Sequence, residues 1–164
     1  MVVSEFQVAL ACSWSMEIDR GVQIGETPEG LRAVGYLKEG KVIGDRISGT
    51  VMAGAADWTV MRKDGILRPN VKLIITTPDE AKILVEYEGF VDMGPDGYET
   101  RLHGRRPGVL HPRTLVRMLT ASPAYAWVNR SPFIGIGRLD LQALPGVISY
   151  DIYEITSPQY GDGG

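Results

Sequence analysis

The chain is 164 residues long, with a net charge of −3, 44% hydrophobic and 23% charged residues. That length holds a core without covalent staples and fits one domain, and the composition excludes disordered and fibrous classes. The acidic balance gives no overall pull on a phosphate backbone, so nucleic acid is not expected as a partner.

One cysteine, Cys12, excludes an internal disulfide, and with only His103 and His111 beside it soft metal ligands are scarce. No metal and no cofactor are expected. VALAC, residues 8–12, has the look of a lipoprotein leader, but the first basic residue is Arg20. Its apolar residues also alternate, and no stretch reaches the roughly 18 apolar residues of a membrane helix. A cytoplasmic protein with no membrane partner is expected.

From Phe6 the even positions Val8, Leu10, Cys12, Trp14, Met16 and Ile18 are apolar, while Glu5, Gln7, Ser13, Ser15 and Glu17 share the other face with two alanines. Strict period two over that length predicts a long half-buried strand. Its small odd face suits a cavity or a second sheet. Turn signals then recur at GETPEG (25–30), KEGK (38–41), KDG (63–65), TPDE (77–80) and GPDG (94–97). Between them lie LRAVGYL, VIGDRISGTVM, VKLIITT and AKILVEYEGF, rich in β-branched and aromatic residues. Such spacing predicts an antiparallel meander. PRTLVRMLT, 112–120, fits a short helix nearly as well as a strand, and VISYDIYEI near the end alternates with aromatics on both faces.

Many long strands without a helical period would leave open edges, and closure removes them. The expected fold is all-β, an antiparallel up-and-down β-barrel forming a single domain over 1–157, with a disordered tail over 158–164.

GIGRLD, 135–140, begins like a dinucleotide fingerprint but has Asp140 in place of the third glycine and no strand–helix context. Phosphate-cradling loops and Gly-flanked serine nucleophiles are missing from the sequence. RLHGRRPGVLHPRTLVR, 101–117, carries five arginines and no acidic residue, a local field able to receive an anion or a surface loop. Within it His111 precedes Pro112 where apolar periodicity resumes, which makes it a candidate proton carrier or a rim histidine.

Trp14, Trp58 and Trp127 fall on separate strand-like segments, as do Tyr87, Tyr125 and Tyr153. They fill a core, or, given the polar residues Asp57, Glu86, Glu88 and Asn129 among them, they line a pocket. Asp57, in AGAADWTVMRKDG (53–65), has two readings. It bonds backbone N–H groups and sets the start of a strand, or it is a poorly solvated carboxylate beside an indole, with a raised pKa and a role in proton transfer.

The run GETPEGLRAVGYLKEGKVIGDRISGTVMAGAADWTVMRKDGILRPNVKLIITTPDEAKILVEYEGF, 25–90, resembles the DUF 3237 family of β-barrel proteins, as do YAWVN (125–129) and the closing SYDIYEI. The resemblance implies a barrel like those of allene oxide cyclase and the lipocalins, often paired as homodimers, with a ligand cavity near one end. Two departures stand out: Gly54-Ala55 where the family has two glycines before Ala-Asp-Trp, and Asn70-Val71-Lys72 where it has Asp-Ala-Arg. The second replaces a bidentate guanidinium with an ammonium.

Two functions of different classes are expected. One is a cofactor-independent isomerase, cyclase or hydro-lyase acting on a small apolar, aromatic or polyketide-like molecule. Asp57 and His111 would carry protons, Trp58, Tyr87 and Trp127 would form the walls, and Tyr125, Asn129 or Lys72 would orient a carbonyl or enolate. The other is a binding protein that uses the same cavity without chemistry.

Overall fold

The computed structural model describes residues 5–156, so the tail expected at 158–164 lies outside the described residues. Eleven strands form one sheet: β1 (Gln7–Thr27), β2 (Gly30–Ile43), β3 (Gly49–Val51), β4 (Ala56–Met61), β5 (Ile66–Arg68), β6 (Asn70–Thr76), β7 (Lys82–Asp92), β8 (Val109–Leu110), β9 (Arg113–Thr120), β10 (Phe133–Asp140) and β11 (Val147–Thr156). Each main strand pairs antiparallel with its neighbour in sequence, and β11 returns to pair with β1, so the sheet closes on itself as an up-and-down barrel. Closure leaves few free ladder groups for another chain to pair with.

Inward rows fill the centre. Trp14, Met16, Met61, Ile75, Ile83, Val85, Met118, Phe133 and Ile152 are almost wholly shielded from water. At roughly 1.5–3 kcal/mol per large apolar side chain, this burial is the main stabilising contribution.

The alternation of β1 is interrupted where the sequence shows none. A register shift between Leu10 and Cys12 buries both Ala11 and Cys12 and turns Val8 and Leu10 to the outer surface, where they are 49% and 51% exposed. One extra residue reverses the phase of every later side chain. KEGK is likewise not a turn but lies inside β2. Gly40 serves a close approach there, because a Cβ at that position would sit 2.4 Å from Met16 Cγ.

Two short helices close the ends. PRTLVRMLT is a strand, but YAWVN belongs to a 3-10 helix, Pro123–Arg130, and not to the strand its aromatics suggested. Pro at its start presets φ for a turn, and only Val128 is fully buried. At the other end α1 (Gly97–Leu102) covers Met61 and Met93, and Tyr98 Oη donates to Glu26 Oε1 at 2.6 Å.

Candidate functional site

Strand β4 sends Asp57, Thr59 and Met61 inward by simple alternation, continuing from Ala55 just before it, and Ala55, Thr59 and Met61 are buried. Asp57 is only half-buried, in register with Gly35 on β2 and with Val71 on β6. Gly35 in turn faces Gly21 on β1. A Cβ added at Gly35 would meet nothing within 4 Å, so the carboxylate stands beside space that its cross-strand neighbour leaves open.

Pro69 separates β5 from β6, and proline cannot continue a ladder as a donor. Asp57 serves the break: its Oδ1 accepts the Asn70 N–H at 3.0 Å, while its second oxygen takes no hydrogen bond from the described residues. The anchoring and chemical readings of this residue thus describe different oxygens.

Inside the ring, Val71 is followed in register by Tyr87 on β7, whose ring centroid is 5.2 Å from that of Tyr150 on β11. Trp14 packs on both, at 6.2 Å from each. The glycines of GIGRLD make room for this cluster: a Cβ at Gly137 would lie 2.6 Å from the Tyr150 ring, and one at Gly135 would lie 3.2 Å from it. Trp14 Nε1 is buried with no hydrogen-bond acceptor among the described residues.

The fourth polar member is Arg101, carried by α1 and partly buried. Its charge reaches Asp57 without a direct ion pair. Burial pushes the Asp57 carboxyl up to about 6, against the downward pull of the Asn70 N–H and of Arg101. Burial lowers Arg101, and the Asp57 charge opposes that fall. Tyr87 is raised by burial, then by the neighbouring Tyr150 and Asp57, and Tyr150 is raised by burial and by Asp57. At neutral pH the phenols are therefore protonated donors, while Asp57 exchanges its proton close to the working range. Cys12 is no competing nucleophile, because burial pushes its thiol up to about 12.

Of the residues picked from the sequence, only Asp57 and Tyr87 come together. Trp58 is 51% exposed on the outer wall, back to back with Asp57, so the surroundings that desolvate the carboxylate are not this indole. Lys72 also points outward and pairs with Glu86 at 3.0 Å. His111 is exposed on the outside of the β8–β9 corner. Tyr125, Trp127 and Asn129 sit on the 3-10 helix at the opposite end, beyond the Lys82 end of β7. There Tyr125 Oη donates to Asp79 at 3.1 Å, and Asn129 binds the Thr120 N–H and C=O at 2.8 and 2.9 Å. Trp127 packs on Phe133 with the Arg46 guanidinium 3.7 Å from its ring centre.

Sequence reasoning missed Tyr150 and Gly35 as site residues, and named Trp14 and Arg101 only as one of several aromatics and as part of the arginine-rich 101–117 segment. The signals present were the alternation of VISYDIYEI and the paired glycines two strands away. Two concavities of about 340 and 300 Å³ lie on the outer surface, and neither is lined by Asp57.

A family profile described as a protein of unknown function, DUF3237, covers residues 6–155, and the chain belongs to this family. Among its relatives is a UPF0311 protein of Rhodopseudomonas palustris, 31% identical over 114 residues, spanning 68% of this chain and 74% of that protein. A β-barrel-like protein of Acinetobacter baumannii matches with a TM-score of 0.78 at 19% identity, over 94% of this chain and 99% of that one. An enzyme from Penicillium herquei matches with a TM-score of 0.68 at 19% identity, over 93% of this chain and 98% of its own. At these identities the structural likenesses carry the fold alone.

Proposed function

We propose that the protein is a general acid/base enzyme of the isomerase, cyclase or hydro-lyase type, acting on a largely apolar aromatic or polyketide-like molecule. The observation that carries this reading is the inward, half-buried Asp57, across the ladder from the open position at Gly35, with one oxygen that takes no hydrogen bond among the described residues and a charge felt by Arg101, Tyr87 and Tyr150. In the reaction Asp57 takes a proton from a carbon or hydroxyl of the substrate and returns it to another atom of the same molecule. Negative charge that builds on a substrate oxygen between these steps is met by Arg101 and the Tyr87 and Tyr150 hydroxyls. In an isomerisation only that proton moves; in a cyclisation a ring bond forms as a π-bond is lost; in a dehydration a C–O bond breaks and the leaving hydroxyl takes the proton from Asp57 and departs as water, so each balances without an oxidant or reductant.

The test is incubation of the purified protein with aromatic polyketide-like hydroxyketones, followed by chromatography and NMR of the small molecule. Turnover by the native chain and its loss in Asp57→Asn are expected. Thermal stabilisation with the ligand recovered unchanged would place the protein among non-catalytic binders.

A further inference from the structure

We propose that the outer face of β4, behind Asp57, forms a second binding site, for a small planar molecule that carries one carboxylate. On this face Arg32 of β2 stands in register with Val60, and Val60 in register with Arg68 of β5. Two guanidinium side chains therefore flank the strand. Trp58, two residues before Val60 on the same face, is 51% exposed, far more than an indole with a structural task keeps open to water. Together with Arg62, Asn70 and Glu88 these residues line a concavity of about 340 Å³, at the lower end of the roughly 300–1,000 Å³ of small-molecule sites.

The arginines are not equivalent. Arg32 is engaged by Glu29, and Arg62 is held by both oxygens of Asp64. Arg68 has no carboxylate partner among the described residues. Its Nε donates to the Gly89 carbonyl at 2.8 Å and its guanidinium carbon lies 4.5 Å from the Phe90 ring centre. The group is thus fixed at Nε and stacked on one face, while its two amino nitrogens take no partner among the described residues. A guanidinium held this way loses little entropy on taking a carboxylate as a two-pronged acceptor. The Trp58 indole beside it offers a flat apolar surface for the body of the same molecule.

Charge sets the class further. Glu29 and Glu88 also border the groove, so a singly charged carboxylate is preferred to a doubly charged phosphate. The site lies on the opposite face of β4 from Asp57, with Asn70, whose N–H bonds the Asp57 carboxylate, as the residue shared between them.

The test uses the full chain, with 1-naphthoate as probe and the Trp58 indole N–H followed by NMR. A saturable shift of that signal is expected, with affinity about tenfold lower in Arg68→Gln and about tenfold lower for the neutral 1-naphthamide. Should Arg68→Gln fail to fold, Trp58→Ala, which changes an exposed side chain, is expected to weaken 1-naphthoate binding similarly by calorimetry. An unmoved Trp58 signal at millimolar 1-naphthoate, equal binding of the amide, or stronger binding of inorganic phosphate or an acidic peptide would each overturn the proposal.

Discussion

Asp57 stands directly across the β2–β4 ladder from Gly35, and an added Cβ at Gly35 would touch nothing within 4 Å. The absent side chain is thus not demanded by packing. Gly35→Ala should fold normally and gain about 0.5–1 kcal/mol through the unfolded chain. Gly35→Leu should keep the fold but fill the space beside the carboxylate. Thermal unfolding of both variants, with turnover of any substrate found for the native chain, separates these effects: activity should survive in the alanine variant and vanish in the leucine variant.

The raised pKa of Asp57 makes a signed prediction. Its folded value, about 6, lies above the ordinary 3.8. Above pH 6 the folded state holds a carboxylate it would rather protonate, which costs stability; the cost shrinks as pH falls from 6 towards 4. Asp57→Asn retains an acceptor for the Asn70 N–H and removes that cost. The variant should be more stable than the native chain by on the order of 2 kcal/mol at pH 7.5, with the difference gone by about pH 4. Urea unfolding at both pH values measures it. Turnover should break near the same pH: substrates that lose a proton to Asp57 react faster above it, and substrates that gain one react faster below it.

The barrel was legible because its causes are local. Period-two alternation and turn residues such as the TPEG between β1 and β2 are written in adjacent positions. The ends were not. A bulge at Leu10/Cys12 leaves the sequence pattern untouched while reversing which face is buried, and Pro123 starts a 3-10 helix through residues whose aromatics imitate a strand. The site was half legible for the same reason. Asp57 was conspicuous among small residues, yet its partners come from β2, β7, α1 and β11, and their meeting depends on closure of the ring. Trp58 misled because adjacency in sequence means opposite faces in a strand.

The second glycine of GIGRLD owes its place to an aromatic ring. Gly137 lies in register with Tyr150, and its missing Cβ would fall 2.6 Å from Tyr150 Cε1 and 3.0 Å from Pro112 Cβ. Gly137→Ala must displace the Tyr150 ring and crowd the Pro112 side chain. A loss of about 1–3 kcal/mol is expected, together with a changed Tyr150 signal in the aromatic NMR spectrum. A nucleotide-binding role for these glycines would predict instead a variant of native stability.

At the far end Glu154 behaves in the opposite sense to Asp57. It is 9% exposed, accepts hydrogen bonds from Ser131 and Arg46, and the Arg46 guanidinium also covers Trp127. Burial alone would raise this carboxyl, but the bonds from Ser131 and Arg46 and the Arg46 charge outweigh it and hold the group below its usual range. Its contribution is therefore present at neutral pH and is lost as acid carries the pH down through the folded-state value. Arg46→Ala strands a buried carboxylate and uncovers an indole, so a loss of about 2–4 kcal/mol is expected at pH 7. Near pH 3 the stranded carboxylate is neutralised in the variant, and the gap to the native chain should narrow. Urea unfolding at the two pH values checks this; a gap that stays constant would mean that Arg46 acts through its contact with Trp127 and not through its charge.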